Sequence, residues 1–374
     1  MRIAIDARLY GTEKATGIGQ YIKQLTDHLF KIDDQNDYVL FMLEPEFSRF
    51  VIPNERVQKV KVTAPWYSYA EQIKLPFELA REKFDLIHYP HFNSPIFFTK
   101  RSICTIHDLT PFYFDGHRMK SPWRRWAHRL VFRSTIAKAS TILTVSEATK
   151  EELIKKFNVP KNKIRVTYEG VDERFKVIDN NVIIKEALDK YGITSPFILY
   201  VGAWRNHKNL ERLVEAFDLI KEKHPSELQL VLAGTEDPNY PNIRQKINLA
   251  KFKHDIITPG YIESQDLPLL YNAAKMFVLP SFIEGFGLVA IEAQKCGCPV
   301  IASNTTSLPE VLGDSALFFN PENTLDLAEQ IRVLLNVTTK AEELRQLGLQ
   351  NVARFSWEQL ARETYQSYQK IFAS

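Results

Sequence analysis

Short apolar segments alternate with helical stretches along all 374 residues of this chain. Such alternation predicts parallel sheets with helices on both faces. The predicted strands fall into two series, separated by a polar stretch at 174–193, and are residues 2–6, 38–43, 57–62, 85–89, 102–107, 141–145 and 164–168, then 197–202, 228–234, 256–260, 276–279, 299–302 and 316–319. The sequence therefore predicts an α/β fold with two successive, doubly wound domains of similar size.

The segment 280–297 joins a predicted strand to a predicted helix through a glycine-bearing turn. The helix should begin near Leu288 and end at Gly297 as a left-handed cap. A helix start presents backbone N–H groups and a positive dipole end, which favour an anion. Glu284 precedes the turn and Glu292 follows it, and carboxylates accept hydrogen bonds from sugar hydroxyls. The pattern favours a sugar nucleotide; the alternative is an ordinary turn with two solvated glutamates.

Two cations, Arg205 and Lys208, lie between the predicted strand 197–202 and a predicted helix at 209–224. Fixed cations at a helix start can hold a diphosphate and stabilise the charge that grows on it as it departs. The alternative is a pair of exposed loop cations, as most arginines and lysines are. Together with the segment 280–297, the two cations favour diphosphate binding.

The first domain contributes a glycine loop and a histidine to the predicted site. Gly17 and Gly19 lie in a predicted loop at 7–20, before a predicted helix at 21–31, where glycine allows backbone to approach a ligand closely. The spacing differs from a dinucleotide fingerprint, so an oxidoreductase is disfavoured. His107 follows the strand 102–106 and is a candidate sugar ligand or proton shuttle, although a lone histidine is often structural.

A basic stretch at 116–146 contains no acidic residue, although the net charge of the chain is only +3. Its cations are interleaved with Trp123, Trp126, Leu130 and Phe132. This pattern indicates either peripheral contact with anionic lipid or a helix that packs its aromatic residues inward. No nucleic-acid motif accompanies it, so we expect no nucleic-acid partner. The cations are Arg118, Lys120, Arg124, Arg125, Arg129, Arg133 and Lys138.

The remaining composition predicts a cytoplasmic protein without a metal. No apolar run approaches the roughly 18 residues of a membrane span, and no signal peptide is recognisable. The cysteines at 104, 296 and 298 lack metal-site spacing and are predicted to be buried thiols. No Asp-x-Asp pair occurs, so we expect no obligatory metal and no cofactor besides a nucleotide-sugar substrate.

With these residues in view, the chain resembles the retaining glycosyltransferases of family 4, which have the GT-B architecture. The resemblance runs from the first strand to the final helix. Its most specific parts are Glu284 and Glu292, with seven residues between them, and the turn that contains Gly202, Arg205 and Lys208.

The resemblance implies a role for each of these residues. Glu284 contacts hydroxyls of the donor hexose, and Glu292 holds the ribose. Arg205 and Lys208 stabilise the leaving phosphate, and His107 lies beside the donor sugar. Further donor-binding positions implied by the resemblance are Gly17, Gly19, Gly202, Gly234, Tyr261, Ile262, Gly285, Phe286, Gly287 and Leu288.

The resemblance also implies the domain arrangement. It places an acceptor-side domain at 1–176 and a nucleotide-sugar domain at 177–356, with an interdomain cleft between two Rossmann-like folds. The last helix, 357–374, would pack back on the first domain. Relatives often carry Asn-Gly-Val-Asp where this chain has Glu169, so we assign that position no catalytic role.

Two N-terminal patterns, at 3–8 and 106–111, are most similar to those of mannosyltransferases. The resemblance therefore implies transfer of mannose from GDP-mannose to a glycan or lipid-linked acceptor, by a front-face mechanism that retains the anomeric configuration. UDP-glucose and UDP-N-acetylglucosamine remain open as donors. A nucleotide-sugar epimerase of the same fold and an inactive binding subunit remain open as functions.

Overall fold

The computed structural model describes residues 1–11, 17–114, 121–194, 196–223 and 227–373. The chain divides into two compact units, one formed by 1–170 with 356–374 and the other by 171–355. Among the described residues, no helix is both long enough and apolar enough to cross a bilayer.

The first unit contains a seven-stranded parallel sheet in the order β3-β2-β1-β4-β5-β6-β7. Its central strands are apolar on both faces because helices cover both faces. The strands are β1 Arg2–Asp6, β2 Asp37–Met42, β3 Val57–Lys61, β4 Leu86–Tyr89, β5 Ser102–Ile106, β6 Thr141–Thr144 and β7 Ile164–Val166. The helices are α1 Gly17–Ile32, α2 Glu46–Arg49, α3 Tyr69–Ala80, α4 Pro122–Lys138, α5 Glu147–Phe157 and, from the C-terminus, α14 Trp357–Ala373.

The C-terminal helix α14 packs against α1 within this first unit. Ser356 caps the helix by accepting a hydrogen bond from the backbone N–H of Gln359. Tyr368 of α14 is fully buried, and its hydroxyl lies 2.7 Å from Nδ1 of His88 on β4. Apolar and hydrogen-bonded contacts therefore hold α14 to the sheet.

The second unit contains a six-stranded parallel sheet in the order β10-β9-β8-β11-β12-β13. The strands are β8 Phe197–Val201, β9 Gln229–Ala233, β10 Ile256–Gly260, β11 Met276–Leu279, β12 Val300–Ser303 and β13 Ala316–Phe319. The helices are α6 Asn181–Lys190, α7 Leu210–Lys223, α8 Pro241–Leu249, α9 Leu267–Ala273, α10 Leu288–Lys295, α11 Leu308–Leu312, α12 Thr324–Asn336 and α13 Thr338–Asn351.

The structure confirms all the strands predicted from the sequence, with ends that differ by at most two residues. It also confirms the left-handed cap at Gly297 and the burial of all three cysteines. One prediction was wrong, because α1 begins at Gly17 rather than at Tyr21. Gly17 and Gly19 therefore lie in the first turn of a helix and not in a loop.

Candidate functional site

In the second sheet the strand order changes direction between β8 and β11, although all the strands are parallel. From β8 the strands proceed through β9 to β10 on one side, and from β11 through β12 to β13 on the other. The carboxyl ends of β8 and β11 are therefore adjacent, which is where ligands bind to open α/β sheets. The segments 202–208 and 280–287 follow these two strands, so the fold brings the two most specific sequence motifs together.

An ion pair joins these two segments. Lys208 Nζ lies 2.7 Å from Glu284 Oε1, and the Ser281 hydroxyl lies 2.6 Å from the same oxygen. Burial alone would raise the pKa of Glu284, but the Lys208 ammonium and the Ser281 hydroxyl outweigh it. The pKa therefore lies below the ordinary value of 4.5. The Glu284 carboxylate is thus ionised at neutral pH and is a hydrogen-bond acceptor only.

The turn after β8 adds two more ionisable side chains. Arg205 precedes a 3-10 turn at Asn206–Lys208, and its side chain is 52% exposed, with Asp237 Oδ2 4.0 Å from its Nε. Burial and the charge of Lys208 lower the pKa of His207 to about 4, so this imidazole is neutral at pH 7. The positive charge of this turn comes from Arg205 and Lys208.

Hydroxyls after β12 hold the segment 280–287 in place. The Thr306 hydroxyl accepts a hydrogen bond from the Glu284 N–H at 3.0 Å, and Ser307 donates to the Glu284 carbonyl at 3.0 Å. Ser303 donates to the Ser281 carbonyl. The backbone of Glu284 is therefore fixed by the turn that follows a third strand, β12. The predicted donor-binding positions Gly285, Phe286, Gly287 and Leu288 continue this segment into α10, and Phe286 is buried against Phe355.

Gly202 and Gly234 directly follow β8 and β9, where the two strand ends approach closely. A Cβ on Gly234 would lie 2.0 Å from the carbonyl oxygen of Gly202, so no larger residue fits there. The Gly234 N–H donates to the carbonyl of Gly260, the last residue of β10. Tyr261 follows Gly260 and is 46% exposed, whereas Ile262 is buried. The predicted donor-binding residues Gly234, Tyr261 and Ile262 therefore lie at the carboxyl ends of neighbouring strands.

Glu292 lies in the second turn of α10, where the sequence predicted it. The Tyr271 hydroxyl donates a hydrogen bond to its Oε2 at 3.5 Å. Burial and the charge of Glu292 raise the pKa of Tyr271 well above its usual value, so the hydroxyl keeps its proton. The predicted role of Glu292 at the ribose stays a prediction.

In the first unit, His107 lies at the carboxyl end of β5 with an acceptor at each ring nitrogen. Nε2 is 2.9 Å from the Pro90 carbonyl, and Nδ1 is 3.4 Å from Oε1 of Glu169. The ring of Tyr21 contacts the imidazole edge-on at 4.6 Å between centroids. The imidazole is therefore held on three sides.

The sequence predicts no role for Glu169, yet this buried carboxylate contacts the predicted histidine, His107. The only signal in the sequence is the departure from the Asn-Gly-Val-Asp pattern of relatives.

The sequence does not predict the contacts of Glu71 either. It pairs with Arg8 at 2.7 Å, and Arg8 also binds Asp6 at the end of β1. No sequence pattern marked Glu71, which lies on the buried face of α3.

The structure gives Gly19 a packing explanation. A Cβ on Gly19 would lie 2.8 Å from the carbonyl oxygen of Leu9, whereas a Cβ on Gly17 would meet nothing within 4 Å. Gly19 therefore lets the first turn of α1 lie against the backbone after β1. Donor binding by these two glycines stays a prediction.

Two family models match the chain, one over each half. The model described as "Glycosyltransferase Family 4" matches residues 15–175, and the model described as "Glycosyl transferases group 1" matches residues 184–350. The second match contains Arg205, Lys208, Glu284 and Glu292.

Relatives and solved structures agree with the family models. The chain is 31% identical to the O-antigen chain mannosyltransferase B of Escherichia coli, over 76% of this chain and 74% of that protein. It is 29% identical to the serotype-specific mannosyltransferase WbdA of Escherichia coli over 73% of this chain, and spans 34% of that protein. Anabaena Alr3699/HepE, solved in complex with UDP-glucose, has the same fold, with a TM-score of 0.79, 16% identity and coverage of 99% of this chain and 100% of that one.

Proposed function

The chain belongs to the family 4 glycosyltransferases, and from this membership we propose that it transfers mannose from GDP-mannose to a glycan or lipid-linked saccharide. The enzyme class and the GT-B fold follow from the family itself. The choice of mannose is supported by the names of the relatives that match at about 30% identity. Retention of the anomeric configuration and independence of a metal belong to the proposal.

One observation carries the assignment of the donor site: the Lys208–Glu284 pair at the point where the strand order of the second sheet changes direction. An ammonium has three N–H donors, so Lys208 can keep Glu284 and still donate to a phosphate oxygen. We assign the diphosphate to Lys208, Arg205 and the start of α10. Glu284, which is ionised and accepts hydrogen bonds only, is assigned to the donor sugar hydroxyls.

In the proposed reaction, the acceptor hydroxyl oxygen forms a bond to C1 of mannose while the bond from C1 to the β-phosphate oxygen breaks. The departing phosphate oxygen takes the proton of that hydroxyl, and the products are the mannoside and GDP. The negative charge that develops on the diphosphate is stabilised by the two cations, which are already in position. His107 is assigned to the donor sugar as a hydrogen-bond partner.

We further propose that the enzyme acts in the cytoplasm and touches the membrane through the predicted region 116–146. Three buried cysteines without a disulfide suit a reducing compartment. Arg118 and Lys120 lie outside the described residues. The described part of the region includes α4, where Trp123 and Trp126 are 78% and 59% exposed. These exposures favour a surface contact over the alternative in which the aromatic residues pack inward.

The test is a panel of nucleotide sugars, measured by thermal shift and then by turnover with an isolated glycan acceptor. GDP-mannose should raise the melting temperature most, because a ligand that binds the native state stabilises it by mass action. Transfer should continue in excess EDTA. A larger rise in melting temperature with UDP-glucose or UDP-N-acetylglucosamine would overturn the assignment of GDP-mannose as the donor. Conversion of the donor to an epimer without acceptor would overturn transfer, and a collapse in EDTA that Mg²⁺ or Mn²⁺ reverses would overturn metal independence.

A further inference from the structure

The side of α4 that faces away from the core carries three large apolar residues. Trp123, Trp126 and Leu130 are 78%, 59% and 41% exposed, and their spacing places them on one face of the helix. The opposite face of α4 is buried through His128, Phe132, Thr135 and Ile136. Burial of this stripe therefore needs a partner outside the unit.

Helix α3 carries a second stripe of the same kind. Tyr69, Ile73 and Phe77 recur at every fourth position and are 84%, 67% and 70% exposed. Leu75 and Leu79 on the opposite side are fully buried. Single exposed apolar residues are common on the surfaces of soluble proteins, but a row of three on each of two helices is uncommon.

Both stripes project from the same face of the first sheet. The buried sides of the two helices belong to one core cluster, which contains Leu75 and Leu79 of α3 and Phe132 and Ile136 of α4. Because both helices pack on that cluster, their exposed sides point away from the same sheet face.

The loop 94–98 lies between the two helices and is bonded to both. On one side, Gln72 of α3 accepts a hydrogen bond from the N–H of Ile96. On the other, Lys138 of α4 donates to carbonyls of this loop. Phe97 in the loop is 87% exposed. We call α3, the loop 94–98 and α4 the α3–α4 face.

Every exposed charge on the α3–α4 face is positive. The exposed cations include Lys74, Arg124, Arg129 and Arg133. All residues of the three segments are described, and their acids are Glu71 and Glu78, which are both buried. Glu71 binds Arg8, and Glu78 accepts hydrogen bonds from Thr63 and lies 4.0 Å from the ammonium of Lys74. The face therefore offers positive charge and apolar side chains with no exposed carboxylate.

We propose that the α3–α4 face docks on an anionic lipid bilayer, with α3 and α4 lying in the interface. Aromatic and aliphatic side chains enter the boundary between headgroups and acyl chains, and arginine and lysine bind anionic headgroups. The proposal rests on the membrane contact in the proposed function and extends it from one helix to a two-helix surface. The charge favours lipid over an apolar protein groove, because an apolar groove supplies no negative charge.

The experiment is sedimentation of the purified full chain with vesicles of phosphatidylcholine alone or mixed with phosphatidylglycerol. The wild-type protein should bind the mixed vesicles, with a blue shift of tryptophan fluorescence, and release at high salt. Trp123→Ser/Trp126→Ser, Ile73→Ser/Phe77→Ser and Arg124→Glu/Arg129→Glu should each weaken binding about tenfold or more. The matched controls are Leu249→Ser and Lys223→Glu/Lys253→Glu on the second unit, which should bind like the wild type.

Each other outcome overturns the inference. Equal binding to phosphatidylcholine vesicles and to mixed vesicles would exclude recognition of anionic lipid. Wild-type binding by Ile73→Ser/Phe77→Ser would exclude α3 from the docking surface. Retention on DNA without vesicle binding would assign the face to nucleic acid. Turnover of GDP-mannose with a soluble acceptor is measured on the same variants, so a failure of membrane docking is distinguished from a failure of mannosyl transfer.

Discussion

Lys208 Nζ lies 2.7 Å from Oε1 of Glu284, and this ion pair connects the turn after β8 with the turn after β11. The two side chains are 20% and 12% exposed, so solvent screens the pair only in part. Because β8 and β11 are neighbours in the sheet, the relative positions of the two groups are set by strand pairing. A cation placed in this way would need little reorganisation to bind the proposed diphosphate.

Lys208→Ala and Arg205→Ala should each slow the proposed mannosyl transfer by about 10²-fold or more, as the loss of a preorganised charge-stabilising group does. The variants should differ in stability. Lys208→Ala leaves a largely buried carboxylate without its cation and should lower the melting temperature, whereas Arg205 is 52% exposed and its loss should not. Turnover and thermal melts are measured together. Lys185→Ala, which breaks an exposed pair with Asp189, is the matched control. Near-normal turnover in both site variants would contradict the diphosphate role.

The pKa of Glu284 predicts a pH dependence of stability. A carboxyl whose pKa is lower in the folded state stabilises the fold above its unfolded pKa, and this stabilisation is lost as the pH falls through the folded pKa. The stability advantage of wild type over Glu284→Gln should therefore be complete above about pH 4.5 and shrink below it. Denaturant unfolding of both proteins between neutral and acidic pH measures the difference. A difference that does not vary with pH would show that Glu284 is not the titrating group.

His107 and Glu169 provide a test of positioning. His107→Ala should reduce kcat by about 10²-fold, because a donor sugar that loses a positioned hydrogen-bond partner is held less well in its reactive geometry. Glu169→Gln keeps a hydrogen-bonding group beside Nδ1 but removes its charge, so we expect a smaller loss of kcat than in His107→Ala, with the KM for the donor little changed. Steady-state kinetics on both variants separates kcat from KM. If Glu169→Gln were as inactive as His107→Ala and equally folded, Glu169 would have a direct role in the reaction.

The strands were predictable because a parallel strand that is buried on both faces must be a short apolar run. The runs at 197–201 and 276–279 fulfil this condition, and the strand order then places Arg205 and Lys208 beside the segment with Glu284. The site in the second unit was therefore largely readable from the sequence. Its ion pair was not, because both partners were assigned to a ligand.

The features that the sequence did not reveal depend on contacts between residues far apart in the chain. Glu169 lies after the end of β7, and nothing in its neighbouring sequence indicates a contact with His107. That histidine is 62 residues earlier in the chain. Gly170 was equally unmarked, although a Cβ there would lie 2.1 Å from the backbone nitrogen of Trp357 at the start of α14. Such requirements arise only when distant segments pack together, so no local pattern records them.

The start of α1 allows a comparison of two glycines within one helical turn. Gly19→Ala should lower the free energy of unfolding by about 1–3 kcal/mol, the usual cost of overpacking, because its Cβ would lie 2.8 Å from the Leu9 carbonyl oxygen. Gly17→Ala meets nothing within 4 Å and should be neutral or stabilising by up to about 1 kcal/mol, because alanine favours the helix. Denaturant unfolding gives both values, and donor affinity is measured alongside. A Gly19→Ala protein of normal stability that no longer binds GDP-mannose would instead place the donor against this turn, and would contradict the packing explanation for Gly19.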